Sequence, residues 1–175
     1  TITNLSFLLT ENELVKSAKL YEERWPNDIA VEENFFKWFR KNRYLDKEKF
    51  VQLGRWKTKR QTKNYLKNSE EFIRATTQKA LKAKDEKMKI ETLMQLHGVA
   101  WAVASVILHF AFPEQYPILD FRAIWSLGLR QPKSYNFDFW QQYVARFQKL
   151  RNKTNLSART LDRGLWMFSK LNQKI

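Results

Sequence analysis

Leu96–Gly128 reads LHGVAWAVASVILHFAFPEQYPILDFRAIWSLG. His97-Gly98-Val99 is a turn signal between two apolar-periodic runs. In the second run, Ala100 to Phe112, only Ser105 and His109 are polar. They stand i, i+4, on one face of a helix that is otherwise apolar all round, so the spacing predicts a buried helix. The proline-bounded segment from Pro113 to Pro117 stops that helix. Asp120 then occupies an N-cap position ahead of a short helix that Gly128 ends.

Outward from this stretch the chain reads as helices throughout. Thr10-Glu11-Asn12-Glu13 is a capping box ahead of Leu14, Val15, Ala18 and Tyr21. Trp25-Pro26-Asn27-Asp28 breaks the first helix, and a second carries Val31, Phe35, Phe36 and Phe39 inward. Asp46 caps a third, with Phe50, Leu53 and Trp56 as its stripe. Ser69-Glu70-Glu71 opens a fourth, with Phe72, Ile73 and Leu81 facing inward, and Asp85 caps a fifth that carries Met88, Leu93 and Leu96. Asn136 or Asp138 starts a helix using Phe139, Trp140, Tyr143, Val144, Phe147 and Leu150. Ser157 caps the last, with Leu161, Leu165, Trp166 and Phe168 as its apolar residues.

With four glycines, four prolines and 15% aromatics in 175 residues, the composition predicts an all-α fold. The expected organisation is a single unit over 1–175, with a central lobe at 28–118 and a second lobe built from 1–27 plus 119–175. Cysteine is absent, which excludes disulfides, thiolate zinc sites and a cysteine-held iron–sulfur cluster. The two histidines offer no metal-ligand spacing, so neither metal nor cofactor is expected. No apolar run reaches spanning length and no basic-then-apolar leader opens the chain; a cytoplasmic protein, nucleoid-associated if bacterial, is expected.

A net charge of +14 favours a polyanionic partner, with nucleic acid ahead of anionic membrane. Arg55 to Lys67, RWKTKRQTKNYLK, holds six cations and no acid. Lys57, Lys59, Arg60 and Lys63 suit phosphates, and the interleaved Trp56 and Tyr65 suit bases. The plain alternative is a solvated loop whose aromatics anchor it to the core. A second basic region, Arg130 to Arg159, sets seven cations against Asp138 alone.

The hairpin residues Leu96-His97-Gly98-Val99-Ala100, the following Ala104-Ser105-Val106-Ile107-Leu108 and the downstream Asp120 resemble the helix-hairpin-helix superfamily of base-excision DNA glycosylases, the endonuclease III type. The match covers about thirty residues. His97 stands where the family has proline, Ala100 replaces its second glycine, and Ala102 stands where bifunctional members carry a Schiff-base lysine. The resemblance implies a two-lobed helical glycosylase fold and double-stranded DNA as partner. It further implies a monomeric, monofunctional N-glycosylase that hydrolyses the glycosidic bond of a flipped base. Asp120 would be its catalytic carboxylate.

The chemistry suits these residues. Amides around His97, Gly98, Val99 and Ala100 lie at a helix N-terminus, where N–H groups and the dipole attract phosphate. Glycine at 98 permits a tight turn and close backbone approach. Base release puts positive charge on the deoxyribose, which a carboxylate stabilises while orienting water. Asp120 has that position, with Arg122 close by to favour the anion and contact DNA. As a plain helix cap it would look the same in sequence. Trp101 and Ser105 are candidate base-pocket residues, although a tryptophan on a buried helix is more often core. His109, one turn from Ser105, fits an interior histidine. Two other functions remain open: a non-catalytic nucleic-acid-binding module, and a basic factor that binds an acidic protein.

Overall fold

The computed structural model describes residues 9–175. They form ten α-helices and a short 3-10 turn, with no strand among the described residues. The chain divides into two units, Thr1–Pro26 with Leu119–Ile175, and Asn27–Ile118.

The first unit holds α1 (Glu11–Arg24), α8 (Phe121–Ser126), α9 (Phe137–Asn152) and α10 (Ala158–Asn172). The capping box at Thr10 forms in full, with Thr10 and Glu13 each accepting the other's backbone N–H. α1 lies against α10 along a close crossing at Gly164, where a Cβ would come within 2.7 Å of the Leu14 carbonyl oxygen. Leu14, Ala18, Leu161 and Leu165 close that crossing from solvent. Ser126 Oγ donates to Leu165 O at 2.6 Å and ties α8 to α10. α8 ends on Gly128 at φ 72°, with Leu129 N–H reaching Ile124 O and Gly128 N–H reaching Trp125 O. This paired closure needs a left-handed residue at 128, which glycine adopts without a Cβ penalty.

The second unit holds α2 (Pro26–Lys41), which begins at the boundary residue, then α3 (Lys47–Lys57), the 3-10 turn (Lys59–Gln61) and α4 (Thr62–Tyr65). After these come α5 (Glu70–Lys82), α6 (Glu86–Leu93) and α7 (Trp101–Ala111). Pro26 sits at the first helical position, where its missing N–H costs nothing. α7 is the core of this unit: Val103 through Ala111 are all buried. Phe110 is ringed by Phe35, Phe36 and Trp56 at centroid distances of 5.1, 4.8 and 5.4 Å, all tilted edge to face. His109 is fully buried, with Nδ1 2.7 Å from Tyr116 O. The Tyr116 hydroxyl donates to the Glu86 carboxylate, 2.7 and 2.9 Å from its two oxygens.

The expected caps Asp46, Ser69, Asp85, Asp120, Asn136 and Ser157 all accept the expected backbone N–H. Three expected inward residues face out instead. Val31 is exposed because α2 centres its stripe on Glu32, Phe35 and Phe39. Phe72 and Met88 are exposed because the buried faces of α5 and α6 run through Ile73, Thr77 and Ala80, and through Lys89, Ile90 and Leu93. In each case a polar side chain lies on the buried face, which shifts the phase that apolar residues alone suggest.

Candidate nucleic-acid interface

The basic run is not a loop. Arg55 to Lys57 finish α3, and Lys59 to Tyr65 wind through the 3-10 turn and α4. This places Tyr65 inside the unit, fully buried, with its hydroxyl 3.2 Å from Gly54 O and Thr58 O. Burial pushes that phenol up to about 12. Trp56 packs on Phe35 and Phe110. Both aromatics of the run therefore serve the core, while Lys59, Arg60 and Lys63 stay exposed and Lys57 is half-buried.

The run and the hairpin are a single assembly. The Tyr65 ring is wedged between two glycines: a Cβ at Gly54 would lie 2.7 Å from its Cε2, and one at Gly98 2.7 Å from its Cδ1. Gly98 has φ +84°, so the turn needs glycine for backbone reasons as well. Asn68, 1% exposed, closes the other side. Its Oδ1 accepts His97 N–H at 2.9 Å, and its Nδ2 donates to His97 O at 3.1 Å and Tyr65 O at 3.0 Å. Three of the four hydrogen bonds open to a buried asparagine amide are thus made, two to His97 in the turn and one to Tyr65 at the end of α4. Asn68 has no sequence signal, because an asparagine after a basic run reads as ordinary loop chemistry.

Beyond the clamp, Val99 N–H donates to Leu96 O at 3.1 Å and Val99 is buried. Ala100 is the N-cap of α7, is exposed, and offers no side-chain acceptor to the first-turn amides. Those amides keep the partial positive charge of a helix start. His97 is exposed at the tip, and Trp101 is half-buried in the first turn. Ser105 is fully buried and donates to Ala102 O at 2.6 Å.

Replacing Asn68 with alanine would remove the side-chain partner of the part-buried His97 N–H and C=O, at a cost of about 1–3 kcal/mol. Its amide-exchange signature is a faster rate at His97 with little change in the middle of α7. An unaltered rate at His97 would show that the clamp does not order the turn.

In the first unit, Asp120 caps α8. Its Oδ1 accepts the Arg122 N–H at 2.9 Å, and the residue is half-buried. The expected support from the Arg122 side chain is not what forms. That guanidinium lies over the Phe121 and Trp166 rings, at 5.0 and 5.6 Å, with Nη1 3.5 Å from Ser169 Oγ. Arg122 meets the carboxylate through its backbone amide. Tyr143 is fully buried near Asp120, and its phenol is raised well above its ordinary range. Loss of solvent is the larger cause, and the charges of Asp162 and Asp120 add to it.

Both units are basic. Residues 27–118 carry eighteen Lys and Arg against eleven acids, and residues 1–26 with 119–175 carry fourteen against seven. No helix among the described residues is long and apolar enough to cross a membrane. No protein-family model matches the chain, and neither a curated protein nor a solved structure matches it.

Proposed function

We propose that this is a DNA-binding base-excision protein, a monofunctional N-glycosylase acting on a nucleotide flipped out of duplex DNA. The observation that supports it best is the clamped turn. Asn68 and Tyr65, from the basic segment, hold His97 and Gly98 so that the uncapped start of α7 and the cations of the same segment belong to one rigid assembly. Amides at a helix start that is joined through Tyr65 and Asn68 to the segment carrying Lys59, Arg60 and Lys63 suit sequence-independent phosphate binding. In this reading the catalytic carboxylate is that of Asp120. Ala102, in place of a lysine, leaves water as the group that takes the sugar.

Two experiments test it. The first incubates the protein with duplexes carrying a panel of damaged or mispaired bases and measures abasic sites; flipping is cheapest at such positions. A protein that binds duplex yet releases no base from any of them is a binding module, and the enzymatic reading fails. The second measures the salt dependence of duplex affinity. Neutralising Lys57, Lys59, Arg60 and Lys63 together is expected to flatten the plot of log affinity against log salt by about 0.9 for each phosphate that no longer meets a cation. An unchanged slope would move the phosphate-binding face off this segment.

A further inference from the structure

The first unit carries a cluster of aromatic rings and cations that capping and core packing leave unexplained. Phe121, the residue after Asp120, is 44% exposed at the start of α8. The Arg122 guanidinium spans from its ring to that of Trp166, and Lys170 Nζ lies 5.5 Å from the Trp166 centroid. Trp166 in turn meets Tyr21 and Trp25 edge to face, at 5.7 and 5.5 Å, with Trp25 and Trp166 both half-buried. The rings therefore form a patch with one exposed member and two partly exposed ones.

No neighbouring acid neutralises the cations of this patch among the described residues. Among the acids of the first unit, Glu11 and Glu13 open α1, Glu22 pairs with Arg163, Asp120 caps α8, Asp162 is buried, and Asp138 sits in the first turn of α9. Neither Arg122 nor Lys170 pairs with a carboxylate among the described residues. A cation over a ring face keeps much of its field and, for arginine, leaves donors in the guanidinium plane. Charge alone would suit any anionic surface. Exposed rings interleaved with unneutralised cations suit a ligand whose negative charges alternate with flat, stackable groups.

We infer that the α8–α10 face of the first unit, built on Phe121, Arg122, Trp166 and Lys170, binds single-stranded DNA, with a base stacked on Phe121 and phosphates on Arg122 and Lys170. This binding does not depend on base excision and would stand for a chain that releases no base.

The test compares a labelled oligothymidine with an abasic oligomer of the same length and charge, read by fluorescence anisotropy. Wild-type protein is expected to bind the oligothymidine about tenfold more tightly, the scale of one base stacked on an aromatic side chain. Phe121→Ala should bring the two affinities together, and because Phe121 is exposed the variant keeps its fold. Lys170→Gln should weaken both ligands alike and flatten the single-strand salt slope by about 0.7. Neutralising Lys59, Arg60 and Lys63 in the other unit should leave the base preference intact. Equal wild-type affinity for the two oligomers overturns the inference, and so does a preference that survives in Phe121→Ala. Tighter binding to anionic phospholipid vesicles, to polyglutamate or to oligouridine than to oligothymidine assigns the face to another partner.

Discussion

Asp120→Asn is expected to leave the fold and duplex affinity intact while lowering base release by about two orders of magnitude or more. The cap survives because asparagine keeps an oxygen where Asp120 Oδ1 accepts the Arg122 N–H at 2.9 Å, and asparagine caps a helix about as well as aspartate. Stability should therefore change by only a few tenths of a kcal/mol. What is lost is the negative charge. An oxocarbenium-like deoxyribose would lose its compensating anion, and electrostatic groups of this kind contribute about 10²–10³ in rate. Duplex affinity should stay level or rise slightly, since the substitution removes one anion from a protein proposed to bind phosphates. The measurement is single-turnover base release on whichever lesion the panel identifies, set beside a thermal melt and a binding isotherm. Release that persists undiminished would reduce Asp120 to a cap and nothing more.

Gly98→Val is expected to be the most destabilising single substitution in the hairpin, with lost DNA binding as a consequence of lost structure. Sequence alone suggests a milder outcome, in which the variant folds and only its backbone is kept from phosphate. The structure changes the expectation in two ways. At φ +84° an L-residue pays about 1–2 kcal/mol for a left-handed backbone, and a β-branched one sits at the upper end. A Cβ there also meets the buried Tyr65 ring at 2.7 Å, and Tyr65 cannot retreat because Gly54 and its own hydroxyl contacts hold its other side. Overpacking of this sort adds about 1–3 kcal/mol. A total of roughly 2–5 kcal/mol corresponds to a fall in Tm of about 10 °C for a chain of this length. Gly98→Ala should show the same direction with a smaller drop. A valine variant that melts with the wild type would mean that Tyr65 and the turn are less tightly joined than their geometry indicates.

Together these expectations separate two glycine and aspartate roles that look alike in a motif. The aspartate's structural duty is replaceable by a neutral isostere, so activity isolates its charge. The glycine's structural duty is not replaceable, so a binding defect at 98 says nothing about phosphate unless the melt is measured beside it. For probing the phosphate contacts themselves, the exposed Lys59, Arg60 and Lys63 are the better positions.

The helical class, the helix starts and the buried α7 were legible in the chain itself, for a local reason. Caps such as Thr10, Asp46, Asp85 and Ser157 act within a single turn, and the apolar run of α7 leaves no face that water could tolerate. Asp120 and the turn at Gly98 were legible on the same ground, as a polar residue at a helix start and a glycine between two periodic runs. Other features needed the fold. The phase of α2, α5 and α6 turned on burying Glu32, Thr77 and Lys89, and a polar residue's partners lie elsewhere in the chain. Asn68 reaches His97 across twenty-nine residues, and Tyr65 is enclosed by glycines at 54 and 98. Arg122 stands beside Asp120 in sequence, yet its guanidinium goes to Trp166 on another helix. Local hydrogen-bonding and periodicity rules act over three or four residues, so they place the elements. The clamp under the hairpin and the cation–aromatic face come from side chains brought together by packing, which only the tertiary structure decides.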